Sequence, residues 1–98
     1  MFLVRDVFQA KPGKAGALAK IFKQVNEKIN GMEGFSNARV MTDMVANYWT
    51  VVVEIEVDSI ERFTNMSRTF TSMPEVADLF KGYMDLVQGG HREIFKVE

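Results

Sequence analysis

Apolar and polar residues alternate most regularly over residues 48–57, and this alternation predicts a β-strand. One side of the predicted strand is wholly apolar: Trp49, Val51, Val53, Ile55 and Val57. The other side mixes polar and apolar residues: Tyr48, Thr50, Val52, Glu54 and Glu56. Because a wholly apolar side is stable only when it is removed from water, we expect other elements of the fold to cover it.

Two longer stretches have the spacing of amphipathic helices. Over residues 14–30 apolar side chains recur at every third or fourth position along one face. A second helix is expected to begin at Asp58 as N-cap, with Glu61 three residues later, close to a capping box. Residues 72–75 interrupt this helix because Pro74 lacks a backbone donor, and a fresh apolar pattern then continues through Met84.

Three further stretches predict strands. Phe2–Ala10 is rich in β-branched and aromatic residues and ends at a Pro12-Gly13 turn. Phe35–Thr42 is a weaker strand pattern, and residues 43–47 can form a hairpin connection from it to the strand at 48–57. Residues 91–97 are expected to form the last strand, after a flexible pair of glycines at 89 and 90.

The resulting order of strand, helix, strand, strand, helix, strand predicts an α+β, ferredoxin-like fold for a single domain at residues 1–98. Such a fold has a four-stranded antiparallel sheet, and right-handed crossovers place both helices on one face, the second one broken near Pro74. The opposite face is left uncovered, and in a chain this small its partly apolar character predicts a homodimer through the sheet faces. That face would carry Leu3, Val7, Tyr48, Thr50 and Val52.

Composition excludes several classes of function. The 98 residues include 12 Lys and Arg against 13 Asp and Glu, so the net charge of −1 offers no electrostatic case for nucleic acid or an anionic membrane as partner. With no cysteine and a single histidine, the chain cannot form a disulfide or a multi-histidine metal site, and no metal or cofactor is expected. Neither a signal-peptide core nor a membrane-spanning run is present, so a cytoplasmic location is expected by elimination.

Asp6 and His91 are the candidate catalytic residues. By alternation, Asp6 shares the helix-facing side of the first strand with apolar residues, where a carboxylate is costly to bury unless it is paired. An imidazole titrates near neutral pH, and antiparallel pairing of the first and last strands could bring His91 to Asp6 as a base and its orienting partner. The alternative is that Asp6 is solvated or bonded to Arg5, Arg39 or the backbone, and that His91 faces solvent.

Trp49, Tyr83 and Arg39 are the candidate substrate-binding residues. Trp49 and Tyr83 could stack on a flat aromatic ligand, while Arg39, like Arg92, could neutralise a negative charge on it. The alternatives are a core tryptophan and solvated arginines. Because seven methionines provide an adaptable apolar lining, a small hydrophobic ligand is an expected partner.

The element order, the Pro12-Gly13 turn and the helix broken at Pro74 resemble the dimeric α+β barrel superfamily. The ending Gly90-His91-Arg92-Glu93-Ile94-Phe95 is similar to the Gly-x-Arg-Glu-Ile-aromatic ending of its NIPSNAP-type members. The resemblance implies a homodimer with two sheets packed back to back, and one cleft per subunit between the sheet and the helices.

That superfamily includes cofactor-independent quinol and antibiotic-biosynthesis monooxygenases as well as haem-degrading enzymes. Haem-degrading members place an asparagine on the first strand, a tryptophan at the end of the third and a histidine on the broken helix. The matching positions here are Asp6 and Val57, and no histidine lies between Ser59 and Gly90. Because the axial imidazole is missing, the resemblance does not extend to a haem site.

Two hypotheses of function follow. The first is a cofactor-independent, monooxygenase-like enzyme for a hydrophobic, phenolic or quinol substrate, in which Asp6 deprotonates the substrate and the anion reacts with oxygen. The second is a non-catalytic, NIPSNAP-like binding or assembly module whose cleft is filled by its own side chains. A ligand-sensing regulatory domain is a third, although the chain offers no DNA-binding segment for it to regulate.

Overall fold

A computed structural model describes residues 1–45 and 48–98 of the chain. The strands are β1 (Phe2–Ala10), β2 (Phe35–Thr42), β3 (Thr50–Val57) and β4 (Val87–Lys96). The helices are α1 (Ala15–Ile29), α2 (Ile60–Thr71) and α3 (Pro74–Leu79), followed by a 3₁₀ turn at Tyr83–Asp85. The hairpin connection predicted at residues 43–47 lies in part outside the described residues, because it includes Ala46 and Asn47.

The four strands form one antiparallel sheet in the order β2-β3-β1-β4. β1 is bonded on both sides, so that Asp6 lies opposite Val53 of β3 and opposite Arg92 of β4. The helices pack on the face of the sheet that carries Val4 and Ile55. This arrangement confirms the predicted ferredoxin-like fold, including the break of the second helix before Pro74.

The start of β3 differs from the prediction because of Trp49. Its backbone adopts a φ of 69°, in the left-handed region, so the alternation of β3 begins only at Thr50. The Trp49 carbonyl oxygen accepts a hydrogen bond from the backbone N–H of Ala10, at 2.9 Å. With 43% of its surface exposed, Trp49 does not belong to the apolar side formed by Val51 and its neighbours.

The start of α2 also differs from the prediction. The N-cap is Ser59, whose hydroxyl accepts a hydrogen bond from the backbone N–H of Arg62 at 3.1 Å. Asp58 instead accepts from the Arg62 side chain, with its Oδ1 2.8 Å from Nε. α3 ends at Leu79, and because Gly82 turns the chain with a φ of 83°, Tyr83 lies in the 3₁₀ turn rather than on a continuing helix.

β4 begins at Val87, four residues before the predicted start at His91. The two glycines of this stretch are therefore part of the strand rather than a flexible loop. Gly90 lies opposite Phe8, and a Cβ at this position would collide with the Val7 carbonyl oxygen. A glycine is thus required here because the two backbones approach closely.

Buried apolar side chains between the sheet and the helices form two clusters. One cluster joins β1 and β3 to the C-terminal half of α1 and to α2 and α3; the other joins the N-terminal half of α1 to the opposite ends of the same strands. Leu18, with none of its surface exposed, packs in the second cluster. None of the helices in the described ranges has the length and hydropathy needed to cross a bilayer.

Replacing Leu18 by alanine is expected to lower the free energy of unfolding by about 2–5 kcal/mol, because the substitution leaves a void among residues that are held by the sheet. Urea denaturation followed by circular dichroism measures the change. The control is Lys20→Ala on the exposed face of the same helix, with an expected change within about 0.5 kcal/mol. Equal effects of the two substitutions would contradict the placement of Leu18 in the core.

Candidate functional site

An open cavity of about 570 Å³ lies between the helix-facing side of the sheet and the three helices. Its wall is mainly apolar, with side chains from three strands and all three helices, among them Val4, Val53, Ile55, Phe63, Phe70 and Val76. A mainly apolar cavity of this size can enclose a small molecule. An open cavity of this size argues against the hypothesis that the protein's own side chains fill the cleft.

Four aromatic rings form one continuous part of the cavity wall. Phe8 of β1 stacks on Phe22 of α1, with ring centroids 4.8 Å apart. Tyr83 meets Phe8 edge-on at 6.0 Å and Phe80 at 5.6 Å. Because the rings hold each other in edge-to-face and stacked contacts, this part of the wall is well defined and suits a flat apolar group.

Asp6 and Arg92 supply the charged groups of the cavity wall. Asp6 Oδ1 lies 2.6 Å from Arg92 Nε, and Oδ2 lies 3.3 Å from Nη2, so the guanidinium donates two hydrogen bonds to one carboxylate. The guanidinium also lies over the Phe63 ring, 5.0 Å from its centroid. The carboxylate expected on an apolar face is thus paired, and its partner is Arg92 rather than Arg5, Arg39 or the backbone.

His91 lies on the opposite face of the sheet from Asp6. Neighbouring side chains along a strand point to opposite faces, and His91 is the residue opposite Val7, while Arg92 is opposite Asp6. The imidazole Nε2 is 3.1 Å from Glu93 Oε2 on that same outer side. The structure therefore does not bring the two predicted catalytic residues together.

Of the three predicted substrate-binding residues, only Tyr83 lines the cavity. Arg39 lies on the outer sheet face, where its Nη2 is 2.7 Å from Oε1 of the buried Glu54. Arg5 approaches the second oxygen of Glu54, with 3.4 Å between Nε and Oε2. Trp49 lies at the start of β3, outside the cavity wall, because its left-handed backbone removes it from the strand alternation.

Burial raises the pKa of Tyr83 above its ordinary value, and the negative charge of Asp6 raises it further. Its hydroxyl therefore keeps its proton at neutral pH. In the described part of the chain, this hydroxyl makes no hydrogen bond to another protein group, and Tyr83 can donate one to a molecule in the cavity.

Asn26 is a polar residue of the cavity wall that the pattern analysis missed. It lies on the buried side of α1 with only 7% of its surface exposed, between the apolar Phe22, Val25 and Ile29. Its side-chain amide has no hydrogen-bond partner among residues 1–45 and 48–98. A single amide within an otherwise apolar helical stripe is a signal that can be read from sequence.

The Tyr83→Phe variant is expected to lose less stability than wild type as the pH rises above about 10. In the unfolded chain Tyr83 ionises near its ordinary pKa of 10.0, whereas in the folded protein its pKa is higher. The stabilisation that results from this difference is complete below the unfolded pKa and is lost as the pH rises through the folded one. The free energy of unfolding measured by urea titration from neutral to alkaline pH tests this. Tyr48→Phe, at an exposed position, is the control and should follow wild type; a Tyr83→Phe curve parallel to wild type would contradict the effect.

Solved structures with the same fold share very little sequence with this chain. A NIPSNAP domain protein from Burkholderia xenovorans has a TM-score of 0.80 and 12% identity, over 100% of this chain and 95% of that one. A NIPSNAP family protein of unknown function from Agrobacterium tumefaciens has a TM-score of 0.82 and 13% identity, over 99% and 87%.

An antibiotic biosynthesis monooxygenase-like protein from Deinococcus radiodurans has a TM-score of 0.76 and 12% identity, over 100% of this chain and 93% of that one. Neither a family model nor a curated protein matches the chain. The protein therefore has the α+β fold of NIPSNAP domain proteins and of antibiotic biosynthesis monooxygenase-like proteins.

Proposed function

We propose that the protein binds a small, mostly apolar molecule in the cavity, and that a phenolic or quinol compound bound there is oxygenated without a cofactor. The observation that carries the proposal is the open, mainly apolar cavity, whose wall combines stacked aromatic rings with a few polar groups. Such a combination is typical of ligand sites, in which apolar walls supply affinity and a few polar groups orient the ligand. The fold shared with a monooxygenase-like protein supports the reaction class by analogy.

In the proposed reaction, Asp6 accepts the phenolic proton of the substrate. Arg92, which already donates two hydrogen bonds at this point of the wall, stabilises the phenolate that is formed. The Tyr83 hydroxyl, kept protonated by its raised pKa, donates a hydrogen bond to the same oxygen.

The phenolate then transfers electrons to molecular oxygen, and a bond forms between a ring carbon and one oxygen atom. Loss of the hydrogen on that carbon breaks the O–O bond. One oxygen atom remains as a quinone carbonyl, and the other leaves as water with the ring and phenolic hydrogens. The substrate loses four electrons and oxygen gains four, so the reaction needs no other reductant.

A non-catalytic binding or assembly module is the second candidate function, and the pairing of Asp6 favours it. The two hydrogen bonds from Arg92 occupy both carboxylate oxygens, so Asp6 must give up part of this pairing to act as a base. Because His91 lies on the outer face of the sheet, Asp6 also lacks the imidazole that was predicted to assist it. A protein that binds ligands without turnover needs neither group to be free.

Oxygen consumption with a panel of phenols and quinols distinguishes the two functions. For the enzyme we expect one O₂ consumed per quinone formed, and a loss of roughly 100-fold or more in the rate for Asp6→Asn, since a positioned base contributes about that much. The control is Asp58→Asn, which removes a carboxylate from another aspartate–arginine pair that lies outside the cavity. This variant should keep the wild-type rate.

Saturable binding of the same compounds without oxygen uptake would contradict the oxygenase and support the binding module. Equal rates for wild type and Asp6→Asn would contradict the role of Asp6 as the base. Binding is measured separately, by calorimetry under argon, so that loss of turnover is not mistaken for loss of the ligand.

We also propose that a second copy of the chain covers the outer sheet face, the face that carries Leu3, Val7, Val52 and Phe95. Leu3 lies opposite Phe95 in the sheet and Val7 opposite Val52, so these apolar side chains are adjacent. Phe95 has 48% of its surface exposed in the single chain. Glu54 is buried on this face between Arg5 and Arg39, which neutralise its charge and lower the cost of covering the face.

The Val52→Lys variant is expected to shift the protein from dimer to monomer, because two copies of the added charge would meet in an apolar interface. Light scattering coupled to size-exclusion chromatography gives the mass, and circular dichroism verifies the fold. The control, Gln24→Lys on the exposed side of α1, should stay dimeric. A wild-type protein that is monomeric at all concentrations tested would contradict the proposal.

A further inference from the structure

We propose that Asn26 determines the ligand specificity of the cavity and selects an uncharged molecule that carries a hydroxyl or carbonyl group. This inference rests on the proposed function, because it requires that a ligand occupies the cavity. It adds the chemical class of that ligand and assigns a binding residue on α1, at a distance in sequence from the charged pair of β1 and β4.

Asn26 is a buried residue whose side-chain amide is accessible from the open cavity. The residue is more than nine-tenths buried, and its side chain makes no hydrogen bond to any residue that the structure describes. No described protein group uses the hydrogen-bonding capacity of this amide, and a ligand that excludes water from the cavity without pairing with the amide would leave it unsatisfied. Because Asn26 forms part of the cavity wall, its amide is available to a molecule inside.

The other polar groups of the wall favour an uncharged ligand. Asp6 and Arg92 carry opposite charges and are paired through two hydrogen bonds, and the remaining polar side chains of the described wall, Ser67 and Thr71 among them, are uncharged. Tyr83 is uncharged at neutral pH, as a tyrosine ordinarily is, and its raised pKa extends this into the alkaline range. An ionised ligand would lose its hydration on entering this mainly apolar space without gaining an unpaired countercharge.

An amide both donates and accepts hydrogen bonds, and a hydroxyl group does the same. A hydroxyl or a carbonyl on the ligand therefore satisfies Asn26, whereas a methyl group at the same place leaves the amide unpaired. Sites built to hydrogen-bond one group of a ligand discriminate against the analogue that lacks it for this reason. The proposed specificity comes from this difference between two ligands of nearly equal shape.

The experiment compares 1-naphthol with 1-methylnaphthalene, which differ by a hydroxyl in place of a methyl group. Both are titrated by calorimetry at neutral pH under argon against wild type, Asn26→Leu and Gln24→Leu. Asn26→Leu should weaken the binding of 1-naphthol about 3- to 10-fold, which is the effect of one hydrogen bond, and should leave the binding of 1-methylnaphthalene no weaker. Gln24→Leu makes an equivalent change on the exposed side of the same helix and should bind both probes as wild type does.

A second measurement uses the wild-type protein and so does not depend on the folding of any variant. The NMR signals of the Asn26 side-chain NH₂ group should shift on addition of 1-naphthol and shift less on addition of 1-methylnaphthalene. 1-Naphthoate, which carries a charge, should bind more weakly than 1-naphthol. Tighter binding of the naphthoate would overturn the selection of an uncharged ligand.

The outcomes separate this inference from the function on which it rests. Suppose that both probes bind wild type, and that Asn26→Leu weakens the binding of both equally or of neither. The role of Asn26 is then overturned, while ligand binding in the cavity stands. If neither probe nor any phenol of the panel binds, both proposals are overturned. Selective weakening of 1-naphthol, together with the selective shift of the Asn26 signals, supports the assignment.

Discussion

The position of β1 in the middle of the sheet is the constraint on which the site depends. This strand is hydrogen-bonded to β3 on one side and to β4 on the other, so its register determines which side chains of three strands face the helices. Val4, Asp6 and Phe8 then face the cavity, and Val53 and Arg92 must lie beside Asp6. A shift of one residue between β1 and β4 would exchange Arg92 for His91 and leave Asp6 with a different partner.

The cavity exists because the chain between α2 and β4 does not continue as one helix. Pro74 starts the short α3, and Gly82 then turns the chain so that Tyr83 joins the ring cluster of Phe8, Phe22 and Phe80. Rings held in mutual contact cannot collapse into the remaining space as flexible side chains would. An open space among apolar walls costs stability, and a ligand that fills it restores the lost contacts.

Sequence patterns predicted the elements better than the site because most elements depend on local spacing. β1 has the predicted bounds, and α1 is within one residue of them at each end. The register of β4 is a long-range property: Gly90 was assigned to a loop, yet it pairs with Phe8 at a point where no side chain fits. This is why alternation alone could not tell whether His91 or Arg92 faces Asp6.

Trp49 and Asn26 show two different limits of prediction from sequence patterns. A left-handed backbone is rare for tryptophan, and nothing in the alternation around Trp49 indicated it. Asn26 is visible in the sequence as an amide in an apolar stripe, but asparagine is mostly exposed in proteins, so the pattern alone does not show that it is buried in a cavity wall. Eight solved structures with this fold share only 8–17% of their sequence with the chain, so the architecture alone does not carry the function. In this protein the apolar cavity carries a small set of polar groups, which include the Asp6–Arg92 charge pair, a tyrosine that stays protonated and an amide with no protein partner in the described chain. The tyrosine and the amide are uncharged groups whose hydrogen-bonding capacity no described protein group uses, and the chemistry of the bound molecule is therefore inferred from them.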